Sequence, residues 1–211
     1  MRCLAFNGWA AGPETWELCS FPHDWVFDYI EQLDGLPERV IADFDRVVLV
    51  GFSMGGTTAL RLFAANPEKV AGLILVSSTP RMMECREDGW KGMSPRRIEA
   101  FRYGVEVVFS QDGSRIYSVE NLARGLKYLV ETDVRAAVEG TDAALRAALP
   151  VEILQSERDA VVRPENAECL RRFFPNANVT IVPGTEHVLP VSEPEKVDAA
   201  VFRVMEAAHE N

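Results

Sequence analysis

The residues best suited to chemistry lie in one stretch, Val47-Val48-Leu49-Val50-Gly51-Phe52-Ser53-Met54-Gly55-Gly56. Its continuous apolar, β-branched opening reads as a strand buried on both faces. Small and apolar residues at helical spacing follow. Between the two lies Gly51-x-Ser53-x-Gly55, the pattern of a serine held on a sharp strand-to-helix turn. Such a turn strains the serine backbone. It also brings helix and strand so close that the positions two residues away must be nearly free of side chain. The hydroxyl is lifted clear of the sheet and faces a helix N-terminus, where backbone N–H groups can hold a developing oxyanion. This suits nucleophilic attack on a carbonyl. The plain alternative is an ordinary glycine-rich turn; the strand before and the helix after favour the nucleophile.

A serine hydroxyl needs a base, and the base needs an orienting acid. The chain holds three histidines. His187 follows the apolar run Val179–Val182 through Pro183-Gly184-Thr185-Glu186, on a loop at a strand's carboxyl end. His23 falls in an early loop and His209 in the C-terminal tail. Asp159 follows the run Val151–Gln155, on the loop into the next helix, with Glu157 as its rival nearer the strand. The segment Ser77-Ser78-Thr79-Pro80, after the strand that follows the elbow, carries no carboxylate. Ser53, Asp159 and His187 thus stand in the order serine, acid, histidine. The backbone N–H of Met54 is one expected oxyanion donor. The other is the N–H of Trp9, in the turn Asn7-Gly8-Trp9 after the first strand.

Positioning these groups requires strands whose carboxyl ends converge. Arg2–Phe6, Trp25–Tyr29, Val47–Val50, Val70–Val76, Val151–Gln155 and Val179–Val182 read as strands. Helices are expected over Pro37–Phe44, Met54–Ala65, Pro164–Phe174 and from Pro194 to about Ala208. This alternation implies an α/β domain, residues 1–80 and 132–211, with a mostly parallel sheet covered on both faces and ligands beyond the strands' carboxyl ends. Over residues 81–131 strand-like runs give way to helical stretches rich in Arg, Met and aromatic residues, which read as an inserted helical cap.

The 211 residues are enough for one domain with a full core, and 47% hydrophobic with 26% charged residues is a globular composition. The net charge of −10 argues against nucleic acid and against an anionic membrane surface as partners. The apolar run Cys3–Phe6 is too short for a signal peptide or a spanning helix. Cys3, Cys19, Cys85 and Cys169 are scattered without metal spacing, so reduced thiols in a cytoplasmic protein are expected. With no phosphate loop, metal cluster or nicotinamide fingerprint, no cofactor is expected.

Ser53, Asp159 and His187 with the Asn7-Gly8-Trp9 turn resemble the α/β-hydrolase superfamily over nearly the whole chain. Phe6-Asn7-Gly8-Trp9, Gly51-Phe52-Ser53-Met54-Gly55-Gly56, and Val76-Ser77-Ser78-Thr79-Pro80 leading to Asp88-Gly89-Trp90-Lys91-Gly92-Met93-Ser94-Pro95 look like the pimeloyl-[acyl-carrier protein] methyl ester esterases of biotin synthesis. The resemblance implies an α/β-hydrolase fold and a serine carboxylesterase acting on a carrier-bound acyl methyl ester. Two features depart from the superfamily. Asn7-Gly8 stands where many members have His-Gly. The chain begins at what would be the third strand, so the antiparallel edge pair is expected to be missing. Residues 81–127 hold nine basic and seven acidic residues, a surplus of two positive charges, while the remainder carries −12. That asymmetry suits docking of an acidic acyl carrier protein through Arg96, Arg97, Arg102, Arg124 and Lys127. Trp9, Met82, Phe101, Tyr103 and Phe109 are candidate acyl-channel residues, joined by Met83, Trp90 and Met93. At helical spacing the cap residues would equally serve as the cap's own core. A broad esterase, thioesterase or C–C bond hydrolase could use the same triad, and a non-catalytic binding module is the reading from another class.

Overall fold

The computed structural model of the protein describes residues 1–85, 89–100 and 118–210. Its centre is a six-stranded parallel sheet in the order β2-β1-β3-β4-β5-β6. The strands are β1 (Arg2–Phe6), β2 (Trp25–Phe27), β3 (Val47–Phe52), β4 (Val70–Val76), β5 (Val151–Ser156) and β6 (Asn178–Val182). From β1 the chain crosses to one side to form β2, then returns to lay β3 on the other side of β1, with Leu4 beside Leu49. This reversal opens a crevice at the carboxyl ends of β1 and β3, where the Asn7-Gly8-Trp9 turn and Ser53 emerge.

The helices are α1 (Tyr29–Leu33), α2 (Leu36–Ala42), α3 (Met54–Ala65), α4 (Val119–Glu131), α5 (Arg135–Glu139), α6 (Ala143–Ala148), α7 (Glu165–Phe173), α8 (Leu189–Ser192) and α9 (Pro194–Glu210). A further helical stretch covers residues 95–100. Every residue of β3 and β4 is buried, because alternate side chains enter two different cores. Leu4, Phe6 and Leu49 face Ile41 of α2, Phe63 of α3 and Leu170 of α7. Ala5, Val48 and Val50 face Trp16 and Val201 and Val204 of α9. A third cluster joins Tyr29, Ile30, Met54, Met82, Met93 and Leu122.

The second strand is shorter than expected. It ends at Phe27 because Asp28 caps α1: its carboxylate accepts the Ile30 and Glu31 N–H groups, while Glu31 reaches back to the Asp28 N–H. The Asp-x-x-Glu signal at 28–31 outweighs the strand propensity of Tyr29. β2 is left as a three-residue edge with Trp25 43% exposed, a short edge of the kind that resists pairing with other chains. The 132–150 connection, with no elements assigned from sequence, holds α5 and α6. Among the described residues no helix is long and apolar enough to cross a membrane.

Candidate active site

Ser53 links β3 to α3 at φ 52°, ψ −117°, in the positive-φ region that an L side chain rarely adopts. Such strain costs on the order of 1–3 kcal/mol and persists only where neighbours over-determine it. Here the neighbours are visible. The Ser53 N–H donates to Val76 O at 2.9 Å, and the Ser53 carbonyl accepts from Ser78 Oγ at 2.8 Å. Thr57 Oγ1 donates to Thr79 O at 2.7 Å. The carboxylate-free segment after β4 therefore braces the elbow. The two flanking glycines are required by close approach: a Cβ at Gly51 would fall 2.4 Å from Gly56 Cα, and one at Gly55 only 2.2 Å from Phe6 O.

His187 lies on the loop between β6 and α8, and Asp159 on the loop after β5. His187 Nε2 is 3.0 Å from Ser53 Oγ, and His187 Nδ1 is 2.7 Å from Asp159 Oδ2. A carboxylate accepts only, so Nδ1 carries the proton and donates, leaving Nε2 to accept from the serine hydroxyl. The Asp159 side chain is fully buried, while that of His187 is 17% exposed, so of the two the imidazole alone keeps a path to solvent. Phe52 packs its ring against the imidazole at 5.1 Å between centroids.

The acid is held from all sides. Asp159 Oδ1 accepts the N–H groups of Val161 and Val162, both at 2.8 Å, and Oδ2 accepts from Gln155 Nε2 at 3.1 Å as well as from His187. Glu157, the sequence rival, instead accepts the Gly184 N–H and so secures the histidine loop. The same two loops are laced by Arg158 N to Thr185 O and by Ser156 Oγ to Glu186 O.

The turn after β1 lies against the elbow: a Cβ on Gly8 would sit 3.2 Å from Ser53 Cβ. Asn7 is wholly buried; its Nδ2 donates to Gly12 O, its Oδ1 accepts the Trp16 indole N–H, and its carbonyl accepts from Gln32. An amide donates and accepts at once, so Asn7 spans the turn in both directions. Met54 opens α3 directly after Ser53, and Trp9 donates its indole N–H to Leu122 O at 3.0 Å.

The other expected site residues are dispersed. Met82 is buried beside Met54, Tyr29 and Leu122, as is Met93. The Trp90 side chain packs in a different cluster, stacking on Phe173 at 6.0 Å in the core under α7. Phe101, Arg102, Tyr103 and Phe109 lie outside the described residues. Arg96 is exposed and Arg97 half-buried. Arg124 pairs with Asp34 at 2.6 Å, and Lys127 lies 3.9 Å from Glu131. Among the described residues no three His, Cys, Asp or Glu side chains gather as a metal site. The sequence reading missed Gln155, Gln32 and the side-chain role of Asn7. All three are buried amides, recognisable only as polar residues beside or within apolar runs.

The arrangement can activate a hydroxyl nucleophile and return a proton to a leaving group. Among curated proteins, the chain is similar to a pimeloyl-[acyl-carrier protein] methyl ester esterase of Nitrosospira multiformis, 26% identical over 177 residues covering 74% of this chain and 67% of that protein. It is also similar to the protein of the same name from Yersinia enterocolitica, 29% identical over 171 residues covering 71% of this chain and 66% of that protein. The chain thus spans about two thirds of the length of these relatives. An esterase from Exiguobacterium antarcticum shares the fold, with a TM-score of 0.74 at 16% identity over 97% of this chain and 92% of that one. The alpha/beta hydrolase family profile matches residues 5–200, and the chain belongs to that family.

Proposed function

We propose that this α/β hydrolase is a serine carboxylesterase that cleaves an acyl-chain methyl ester through an acyl-enzyme on Ser53. The observation that carries the reading is the unbroken hydrogen-bonded chain Asp159–His187–Ser53 on a strained strand-to-helix turn. Ser53 Oγ attacks the ester carbonyl as His187 Nε2 takes its proton, and Asp159 holds the resulting imidazolium through Nδ1. The N–H groups of Met54 and Trp9 hold the tetrahedral oxyanion. Collapse breaks the C–O bond to the methoxy group, which leaves as methanol with the proton from His187. Water, deprotonated by His187, then releases the acid and regenerates Ser53.

The substrate we assign is a pimeloyl-carrier-protein methyl ester, supported by the names and similarity of the curated relatives. Residues 81–131 would act as a cap whose Met82 and Leu122 pack with Met54, and the acyl chain would lie beside that apolar cluster. Arg96, Arg97, Arg124 and Lys127, with Arg102, are the candidate docking cations for an acidic acyl carrier protein in the cytoplasm.

The test compares pimeloyl-carrier methyl ester with a short p-nitrophenyl ester, for the wild type and for Arg96→Glu with Arg97→Glu. Carrier-ester cleavage that falls on charge reversal, with the small ester unaffected, is the expected result. Cleavage of the small ester alone would leave a broader esterase and remove the carrier assignment.

A further inference from the structure

The two donors assigned to the oxyanion hole come from separate pieces of chain. One belongs to the first turn of α3 and the other to the turn after β1. Their relative placement is a tertiary matter, and a single buried side chain spans them. Gln32 on α1 is 2% exposed. Its Nε2 donates to Asn7 O at 2.9 Å and to Phe27 O at 3.1 Å. Its Oε1 accepts from Thr58 Oγ1 at 2.8 Å, and Thr58 is fully buried. Turning the amide over would set its oxygen against two carbonyls, so the orientation is forced.

The geometry gives these bonds a function beyond stability. Asn7 O belongs to the Asn7–Gly8 peptide, whose plane sets the direction in which the following Gly8–Trp9 backbone leaves. Thr58 stands four residues after Met54, on the same face of α3 and one turn along. The missing side chain of Gly55 lets α3 rest directly on the end of β1, with Asn7 O 2.8 Å from where a Cβ would be. The β1–β3 ladder, with Phe6 beside Gly51, fixes the strand ends, and Gln32, bonded to both the turn and α3, ties together what extends beyond them. We propose that Gln32, anchored by Thr58, is a positioning residue that sets the spacing between the Met54 and Trp9 N–H groups and thereby the transition-state affinity of the site. The proposal rests on the reading of Ser53 as nucleophile.

The experiment measures kcat and KM on a short p-nitrophenyl ester, affinity for an alkyl boronic acid that mimics the tetrahedral adduct, and thermal stability. The proteins are the wild type, Gln32→Met, Thr58→Val, Thr58→Ser and the Gln32→Met/Thr58→Val double variant. Loss of one direct oxyanion donor costs about 10²–10³ in kcat, so an indirect displacement should cost roughly 10- to 100-fold. Gln32→Met should show that loss with KM little changed and boronate affinity weakened in parallel. Thr58→Val should fall part of the way, Thr58→Ser should restore activity, and the double variant should be no worse than Gln32→Met. Lower stability with kcat and boronate affinity unchanged would overturn the proposal, as would additive losses in the double variant. Thr58→Val exchanges the hydroxyl for a methyl group of similar size and decides the matter should Gln32→Met fail to fold. Failure of an alkyl phosphonate to label Ser53 in the wild type would instead defeat the nucleophile reading itself, so the two failures are distinguishable.

Discussion

The indole N–H of Trp9 donates to the backbone carbonyl of Leu122, 3.0 Å away, and so ties the turn after β1 to helix α4. The helix comes this close because residue 125 is glycine: a Cβ there would lie 2.4 Å from Trp9 Cδ1. Gly125→Ala should push the indole and its backbone out of place, since a packed ring cannot yield as a flexible side-chain end would. We expect kcat/KM on a short ester to fall by about 10-fold or more, because displacements of an ångström can cost up to roughly 10². Trp9→Phe, which keeps a ring and loses the hydrogen bond, should move activity in the same direction by less. Unchanged steady-state kinetics in both variants would show that α4 and the turn are energetically independent.

The proposed role of Ser53 as nucleophile can be tested apart from the packing. Ser53→Ala should lower kcat on the order of 10⁴–10⁶ while leaving the circular dichroism unchanged. The positive φ of residue 53 makes a second expectation. Ser53→Gly should melt higher than Ser53→Ala, since glycine relieves strain of about 1–3 kcal/mol at a cost in chain entropy of about 0.5–1 kcal/mol. Equal or lower melting of Ser53→Gly would put the strain at no more than the roughly 0.5–1 kcal/mol of chain entropy that glycine costs, below the expected range.

Gln155 donates to the same Asp159 oxygen that accepts from His187, and also to Val162 O, yet its own Oε1 is buried without a partner among the described residues. An orphaned buried acceptor costs about 1–3 kcal/mol, so the residue is poorly explained by stability. Gln155→Met should therefore retain a melting temperature near the wild type while kcat falls by roughly 10-fold, because Asp159 loses one of its donors. A large fall in melting temperature with normal kcat would reverse this assignment.

Two thiols tie stability to alkaline pH. Burial, with Asp24 nearby, pushes the Cys3 thiol from 9.0 up to about 12; burial, with Asp198 nearby, does the same to Cys19. A group with a raised native pKa holds more protons when folded, so its stabilising contribution is complete below about pH 9 and is lost as pH rises towards about 12. The urea midpoint should therefore hold up to about pH 9 and drop as pH rises from there towards about 12, and the Cys3→Ala/Cys19→Ala protein should show a shallower drop. An equally steep fall in that protein would place the alkaline sensitivity elsewhere.

What the sequence by itself determined is the set of groups that follow strand ends. β3 and α3 were legible in place, since an unbroken apolar run and a helix that ends before Asn66-Pro67 are local signals, although β3 continues through Gly51 and Phe52 up to the serine. Ser53, Asp159 and His187 stood out because each reactive type comes just after an apolar run, and parallel strands must bring such loops to one side of the sheet. Tertiary structure decided what local signals could not. It separated Asp159 from Glu157, which differ only in where their loops lead: one carboxylate meets His187 and the other Gly184. It sent Trp90 to Phe173 and Met82 to Met54, although both occur in one aromatic- and methionine-rich stretch. It also gave Asn7, Gln32 and Gln155 their places. A buried amide has no periodic signature, and its worth depends on partners supplied by other elements; for Gln32 these are Asn7 and Thr58, 25 and 26 residues away. Hydrophobic patterning writes the scaffold into the sequence. The polar bonds that hold the reacting groups in register exist only once that scaffold has closed.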